Sequence, residues 1–183
     1  MENWKEIFPE INLIKDSNLI QKIEETCQDA LDISGMTSTQ FHKMPFTLLI
    51  PNTNITYLEH VQSVIKMAVS ACDIFKENYD SNQFPLNKNF VIAGAILHDV
   101  GKILEYQCNK DNVYITSPIG KNLRHPFSGT GLAMKHHIPY EICHIIATHA
   151  GEGNGRYRSP ESVLINRIDD MNFVMLKAYQ NMI

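Results

Sequence analysis

The chain has 183 residues, 44% apolar and 20% charged, the make-up of an ordinary globular protein with room for one real core. A net charge of −4 argues against a nucleic-acid binder that works by gross positive charge. No apolar run is long enough to cross a bilayer, and residues 1–6 lack the start of a secretory signal. Cys27, Cys72, Cys108 and Cys143 have no paired spacing, so reduced thiols, no disulfide and a cytoplasmic setting are expected.

Residues 17–33 read as an amphipathic helix. Asp16 or Ser17 can cap it, and Leu19, Ile20, Ile23, Cys27, Ala30 and Leu31 form its apolar stripe. Gly35, Pro45, Pro51 and the polar run 52–54 make residues 34–55 a loop-rich connection. A second helix is expected over about 56–77, with His60 near its start. A third covers about 89 to the Gly101 region and ends at His98-Asp99. Short alternation over 103–108 and 113–116, across the polar 109–112, reads as a small β-hairpin. Another helix is expected over about 118–136. Pro139 suits the first position of the next one, which ends near His149. The polar, glycine-containing stretch 151–156 is a loop. Ser159-Pro160-Glu161 then opens a last helix with Ile165, Ile168, Met171 and Val174 on one stripe. The sum is an all-α bundle with one minor hairpin.

His98-Asp99 closes the apolar run 93–97, where packing asks for no charge. A buried carboxylate needs a cation or a hydrogen-bond network beside it, and a divalent metal would supply the cation. His60, His98, Asp99, His125, His149 and Asp169 sit at the ends or on the faces of the later helices. Metal centres in helical bundles are built this way, and two ions need about six ligands with one carboxylate bridging. Asp99 is the natural bridge. His42, His136, His137 and His144 take the structural reading instead. His136 and His137 stand at a helix end.

The run Gly94-Ala95-Ile96-Leu97-His98-Asp99-Val100-Gly101-Lys102 resembles the signature of the HD-domain metal-dependent phosphohydrolase superfamily. Residues 57–64 resemble the helix that brings that family's first histidine, His60. Residues 124–129 resemble the segment of the third, His125. The turn 148–152 resembles the one that holds His149, and 168–171 the closing aspartate helix with Asp169. The likeness spans about residues 40–180, behind a helical extension of about 1–35, within a single domain of 1–183. It is nearest to the HD domain of YhaM-type 3′→5′ exoribonucleases, through 102–106 and 159–162. In two places the chain departs from that pattern. Thr148 stands where the family has another histidine, and 48–56 lacks a His-His-x-x-x-Gly-Gly element.

The resemblance implies a metal-dependent hydrolase. His60, His98, Asp99 and Asp169 would hold one ion, and Asp99, His125 and His149 a second, with iron, manganese or another transition metal. Metal-activated hydroxide would cleave a small phosphoester: a nucleotide, a cyclic nucleotide or a short oligonucleotide. Lys102 lies one helical turn beyond His98 and either binds phosphate or caps a helix end. Arg124, beside His125, is a second phosphate-binding candidate. Arg156 and Arg158, in a loop that could close over substrate, read chiefly as solvated surface residues; Glu152 reads equally as a solvated loop acid or as a group that shuttles a proton or orients His149, and Asp170 as facing away from its neighbour. Phe127 and Tyr106 are candidates to stack a base, and the methionines to fill core and pocket wall. The same six ligands are also compatible with mixed-valence di-iron oxygenases of the superfamily, acting on a small organic or phosphonate substrate.

Overall fold

A computed structural model describes residues 1–80 and 83–183. The chain opens with a short helix, α1 (Trp4–Ile7), and a 3-10 turn (Pro9–Leu13). Helix α2 (Ser17–Ser34) begins where the Asp16 side chain accepts the N–H groups of Asn18 and Leu19. It ends at Gly35, whose φ of 66° is the left-handed turn that lets the chain leave a helix. Within 34–55, expected to be a loop, a one-and-a-half-turn helix forms, α3 (Ser38–Lys43). Thr37 and Gln40 make a reciprocal capping box there, which offsets the short length. Thr56 and Glu59 make the same box for α4 (Tyr57–Asn78).

Helix α5 (Lys88–Leu97) is the centre of the molecule. Every residue from Val91 to Leu97 is buried, so its pattern is a continuous apolar run rather than a stripe. It packs against α4 and against α9 (Tyr140–Thr148) and α10 (Pro160–Tyr179), described below. One hydrophobic cluster extends from Trp4 to Ile168 and joins the N-terminal segments to the rest.

After α5 the chain turns through residues 98–101 into α6 (Lys102–Glu105), so residues 103–105 are helical and the expected hairpin is shorter. Its strands are β1 (Tyr106–Cys108) and β2 (Tyr114–Thr116), antiparallel with Gln107 opposite Ile115. The single helix expected over 118–136 is two: α7 (Pro118–Asn122) and α8 (His125–Lys135). Arg124 is extended (φ −60°, ψ 151°), and Pro126 in the first turn of α8 suits a new start there. Pro139 is the residue before α9 rather than its first. A 3-10 turn (Gly151–Gly153) follows, then α10, capped by Ser159.

The stripe expected on α10 divides. Ile165 and Ile168 are buried, whereas Met171 and Val174 are exposed. The far half of this helix lies beyond the core. Met36 and Met44 are core residues, but Met134 and Met175 are also exposed, so the methionines are not uniformly internal. All four cysteines are free. Among the described residues no helix is long and apolar enough to cross a membrane.

Candidate metal centre

Five segments bring His60, His98, Asp99, His125, His149 and Asp169 to one place. His60 projects from the first turn of α4, His98 and Asp99 from the end of α5, and His125 from the first residue of α8. His149 ends α9, and Asp169 lies midway along α10. The donor atoms of His60, His98, Asp99 and Asp169 all lie within 4.8 Å of one another, and so do those of Asp99, His125 and His149.

Asp99 joins the two groups. Its Oδ2 is 3.3 Å from His60 Nε2 and 3.4 Å from His98 Nε2. Its Oδ1 is 3.3 Å from His125 Nε2 and 3.4 Å from His149 Nε2. The carboxylate is fully buried, yet neither oxygen accepts a well-directed hydrogen bond. The Lys102 ammonium, 2.7 Å from Oδ2, is an ion-pair partner on one side only. Asp169 Oδ1 completes the first group, 3.1 Å from His60 Nε2.

The histidines are oriented from behind. His98 Nδ1 is 2.7 Å from the carbonyl of Ala95, and His149 Nδ1 is 2.7 Å from that of Ile146. Each carbonyl can only accept, so Nδ1 carries the proton and Nε2 turns a lone pair inward. His125 Nδ1 lies 2.7 Å from Glu105 Oε2. With their Nδ1 atoms so occupied, His125 and His149 turn Nε2 lone pairs toward each other at 3.2 Å, and His98 Nε2 lies 3.4 Å from His60 Nε2. Imidazole and carboxylate donors crowded around an unsatisfied buried carboxylate fit divalent ions.

The buried groups shape one another's ionisation. Burial opposes ionisation of Asp99, but Lys102 and His98 hold its carboxyl well below the usual carboxylate range. Burial likewise opposes Asp169, and its contact with His60 leads the effects that bring it down to about 2. For His60, burial disfavours the cation, but Asp169 and Asp99 outweigh it and raise the pKa. Burial prevails at His125 and lowers its pKa, which favours the neutral ring.

A cavity of about 360 Å³ opens onto this cluster. Lys102, Arg124, Tyr106 and Asp170 line it. Asp170 therefore sits at the rim instead of facing away. Phe127, expected as a stacking candidate, is 55% exposed and is not part of the wall, whereas Tyr106 is. Arg124 is partly committed: its Nη1 is 3.1 Å from Glu105 Oε1 and its Nε 3.2 Å from Glu152 Oε1. Arg158 is an internal fastening rather than a solvated loop residue. Its guanidinium donates to the carbonyls of Thr148 and Ala150, on either side of His149. Arg156 is exposed. His144 Nε2 accepts the Ser159 N–H, and His136 Nε2 is 3.0 Å from Asp29, both away from the cluster.

Several contributors have no sequence signal of their own. Phe46 lies against the His60 ring at 4.9 Å between centroids and beneath the Lys102 ammonium at 5.6 Å. It arrives from the stretch between α3 and α4, whose path follows the Pro45–Thr56 bridge. Asn166 donates its side-chain N–H to the His149 carbonyl. Glu105 stands behind His125, and with 103–108 read as a strand its direction left no sign in the sequence.

Comparison with known proteins follows the same residues. The chain is similar to the dihydroneopterin 2′,3′-cyclic phosphate phosphodiesterase of Methanocaldococcus jannaschii, with 30% identity over 114 residues. That match takes in 62% of this chain and 44% of the relative, so the chain spans less than half of the relative's length. No solved structure matches the chain. The profile of the HD domain family matches residues 57–172, from the helix of His60 to just past Asp169, and with the histidines and aspartates gathered as described, the chain belongs to the HD domain family.

Proposed function

We propose that the protein is a metal-dependent phosphoric ester hydrolase whose substrate is a small phosphodiester. The observation that carries this is the Asp99 carboxylate, buried between two pairs of imidazole nitrogens with Lys102 paired to one of its oxygens only. In this reading His60, His98, Asp99 and Asp169 hold one divalent ion, and Asp99, His125 and His149 hold a second. Iron and manganese both suit the mixed nitrogen and oxygen donors. Such ions acidify water and neutralise charge on phosphate oxygens.

The chain's own groups do the rest. Lys102 and Arg124 line the cavity beside the ligands and bind the non-bridging phosphate oxygens. The Nδ1–H bonds of His98 and His149 keep their Nε2 lone pairs aimed at the centre. Phe46, with its ring against His60, shields the first group from water. Phe46, Tyr106 and Phe173 give the cavity an aromatic lining that suits a planar ring on the substrate. A volume of about 360 Å³ fits a molecule of nucleotide size.

The relative's printed activity, on a cyclic phosphate diester, supports diester hydrolysis over oxygenase chemistry. It also makes a cyclic phosphate of a pterin or nucleoside the first substrate to try. The likeness to YhaM-type exoribonucleases stands on the motifs at 102–106 and 159–162 alone, and the net charge of −4 gives no support to strong nucleic-acid binding. Four free cysteines fit a reducing compartment such as the cytoplasm.

The test is metal content together with turnover of 2′,3′-cyclic, 3′,5′-cyclic and open diesters and of monoesters, for wild type and Asp99→Ala. Hydrolysis of a diester by the wild type, with loss of both metal and rate in the variant, is expected. An Asp99→Ala protein with full metal and full rate, or a metal-loaded wild type inert on every ester, overturns the proposal.

A further inference from the structure

The histidines of the cluster are not supported alike. His98 and His149 end their helices, and each rests its Nδ1–H on the carbonyl three residues earlier in the same helix. His125 begins its helix. No turn of its own helix precedes it, because the chain is extended at Arg124 between α7 and α8, so this source of a carbonyl is missing. A carboxylate takes its place. Glu105 Oε2 accepts the backbone N–H of His125 at 2.8 Å and faces its Nδ1 at 2.7 Å.

Glu105 is itself fixed. It is buried at the end of α6, and its other oxygen is held by Arg124 Nη1 at 3.1 Å. Both of its oxygens therefore face donors, the two nitrogens of His125 on one and the Arg124 guanidinium on the other, a setting that accommodates a carboxylate anion. An anionic acceptor behind an imidazole sets its tautomer and raises the electron density at the opposite nitrogen. The group around Asp99, His125 and His149 has only one carboxylate among its three donors, against two among the four of the other group. It is therefore the group that gains more from a negative charge placed behind a ligand.

We propose that Glu105 is a positioning residue that makes His125 a competent metal ligand and so governs occupancy of the second ion position. This rests on the two-ion reading above. The competing role is purely structural: Glu105 satisfies the buried first N–H of α8 and nothing more. Glu105→Gln separates the two, because the amide oxygen still accepts that N–H while the charge is gone.

The experiment titrates the metal-stripped full chain with Zn²⁺ by calorimetry, with elemental analysis to count bound ions. The wild type is expected to take up two ions. In Glu105→Gln one of the two steps weakens by about 10–100-fold while the other is unchanged. Two unchanged steps, or two steps weakened equally, overturn the inference. A wild type that binds fewer than two ions overturns the two-ion reading itself, and the inference falls with it; that outcome is visible without any variant. Should Glu105→Gln fail to fold, ¹⁵N NMR of the metal-free wild type decides, with the His125 signals identified by their loss in His125→Gln. A neutral ring protonated on Nδ1 is expected, and a proton on Nε2 overturns the proposal.

Discussion

Lys102 places its ammonium 2.7 Å from Asp99 Oδ2, with both side chains buried, so the metal-free centre is held together by an internal ion pair. Burial alone would drive the Lys102 pKa down, yet the Asp99 carboxylate outweighs it and raises the value. Removing one partner of such a pair leaves the other charge stranded, typically at a cost of about 3–5 kcal/mol. Lys102→Met is therefore expected to destabilise the metal-free protein by about 3 kcal/mol. A bound divalent ion supplies the lost positive charge, so the variant should gain more from metal than the wild type does. Thermal unfolding of both proteins with and without Zn²⁺ measures this. Equal gains would show that Lys102 and the ion do not share Asp99.

Gly101 lets the turn from Asp99 into α6 lie directly against the start of α8. A Cβ there would meet the His125 carbonyl oxygen at 2.1 Å and the Gly129 nitrogen at 2.7 Å, both backbone atoms that cannot swing aside. Gly101→Ala must push the start of α8 away from α6, at a cost of about 3 kcal/mol. His125 rides on that start, so metal uptake should fall along with the urea midpoint. Unfolding curves and bound-metal counts on the same preparation check both effects. A stable variant with normal uptake would mean that α8 relaxes without moving His125.

Of the candidate ligands, Asp99 was legible because it breaks a packing rule, whereas the four histidines and Asp169 stood out chiefly through their likeness to the HD-domain pattern. A carboxylate at the end of an all-apolar helix, as at Asp99, has no structural reason to be there. The helix starts at Asp16, Thr56 and Ser159 were legible because their caps are local chemistry. What failed was whatever depends on chain segments meeting in space. The break at 123–124 follows from Glu105, eighteen residues and a hairpin earlier, accepting the N–H that opens α8. Phe46 reaches His60 only because the loop before α4 folds back onto that helix. Arg158 looked like a solvated loop cation because its partners are backbone carbonyls around His149, and a carbonyl leaves no mark in sequence.

Away from the cavity, α2 and α8 are joined through Asp29. Its Oδ2 lies 2.7 Å from Lys135 Nζ and 3.0 Å from His136 Nε2. Lys135 is the largest influence, partly opposed by burial, and the carboxyl pKa is lowered. A depressed acid contributes stability that is fully present above its unfolded pKa of about 3.9 and is lost as pH falls through the folded value. The pair is partly exposed, so the contribution is about 1 kcal/mol or less. Urea midpoints for wild type and Asp29→Asn should differ at about pH 6 and draw together as the pH falls below about 3.9. A constant difference across that range would assign the effect to packing instead of charge.

Arg167 lines the cavity from α10, exposed, and among the described residues it has no hydrogen bond or ion pair. Lys102, Arg124 and Arg158 line the same cavity, but each spends at least one donor on an internal partner and keeps only the rest for substrate. Arg167 thus keeps all its donors for an incoming anion, and in the mouth of the cavity it meets substrate before the reacting phosphorus does. Such a contact holds ground state and transition state alike. Its loss then raises KM and leaves kcat nearly unchanged. For Arg167→Gln a KM increase of about tenfold is expected, corresponding to about 1.4 kcal/mol. The increase should shrink as salt is added, because screening weakens an exposed guanidinium–phosphate contact. Steady-state kinetics on one diester at low and high salt test this. A fall in kcat with KM unchanged would move Arg167 from the entrance to the transition state, and no change in either would place the bound substrate out of its reach.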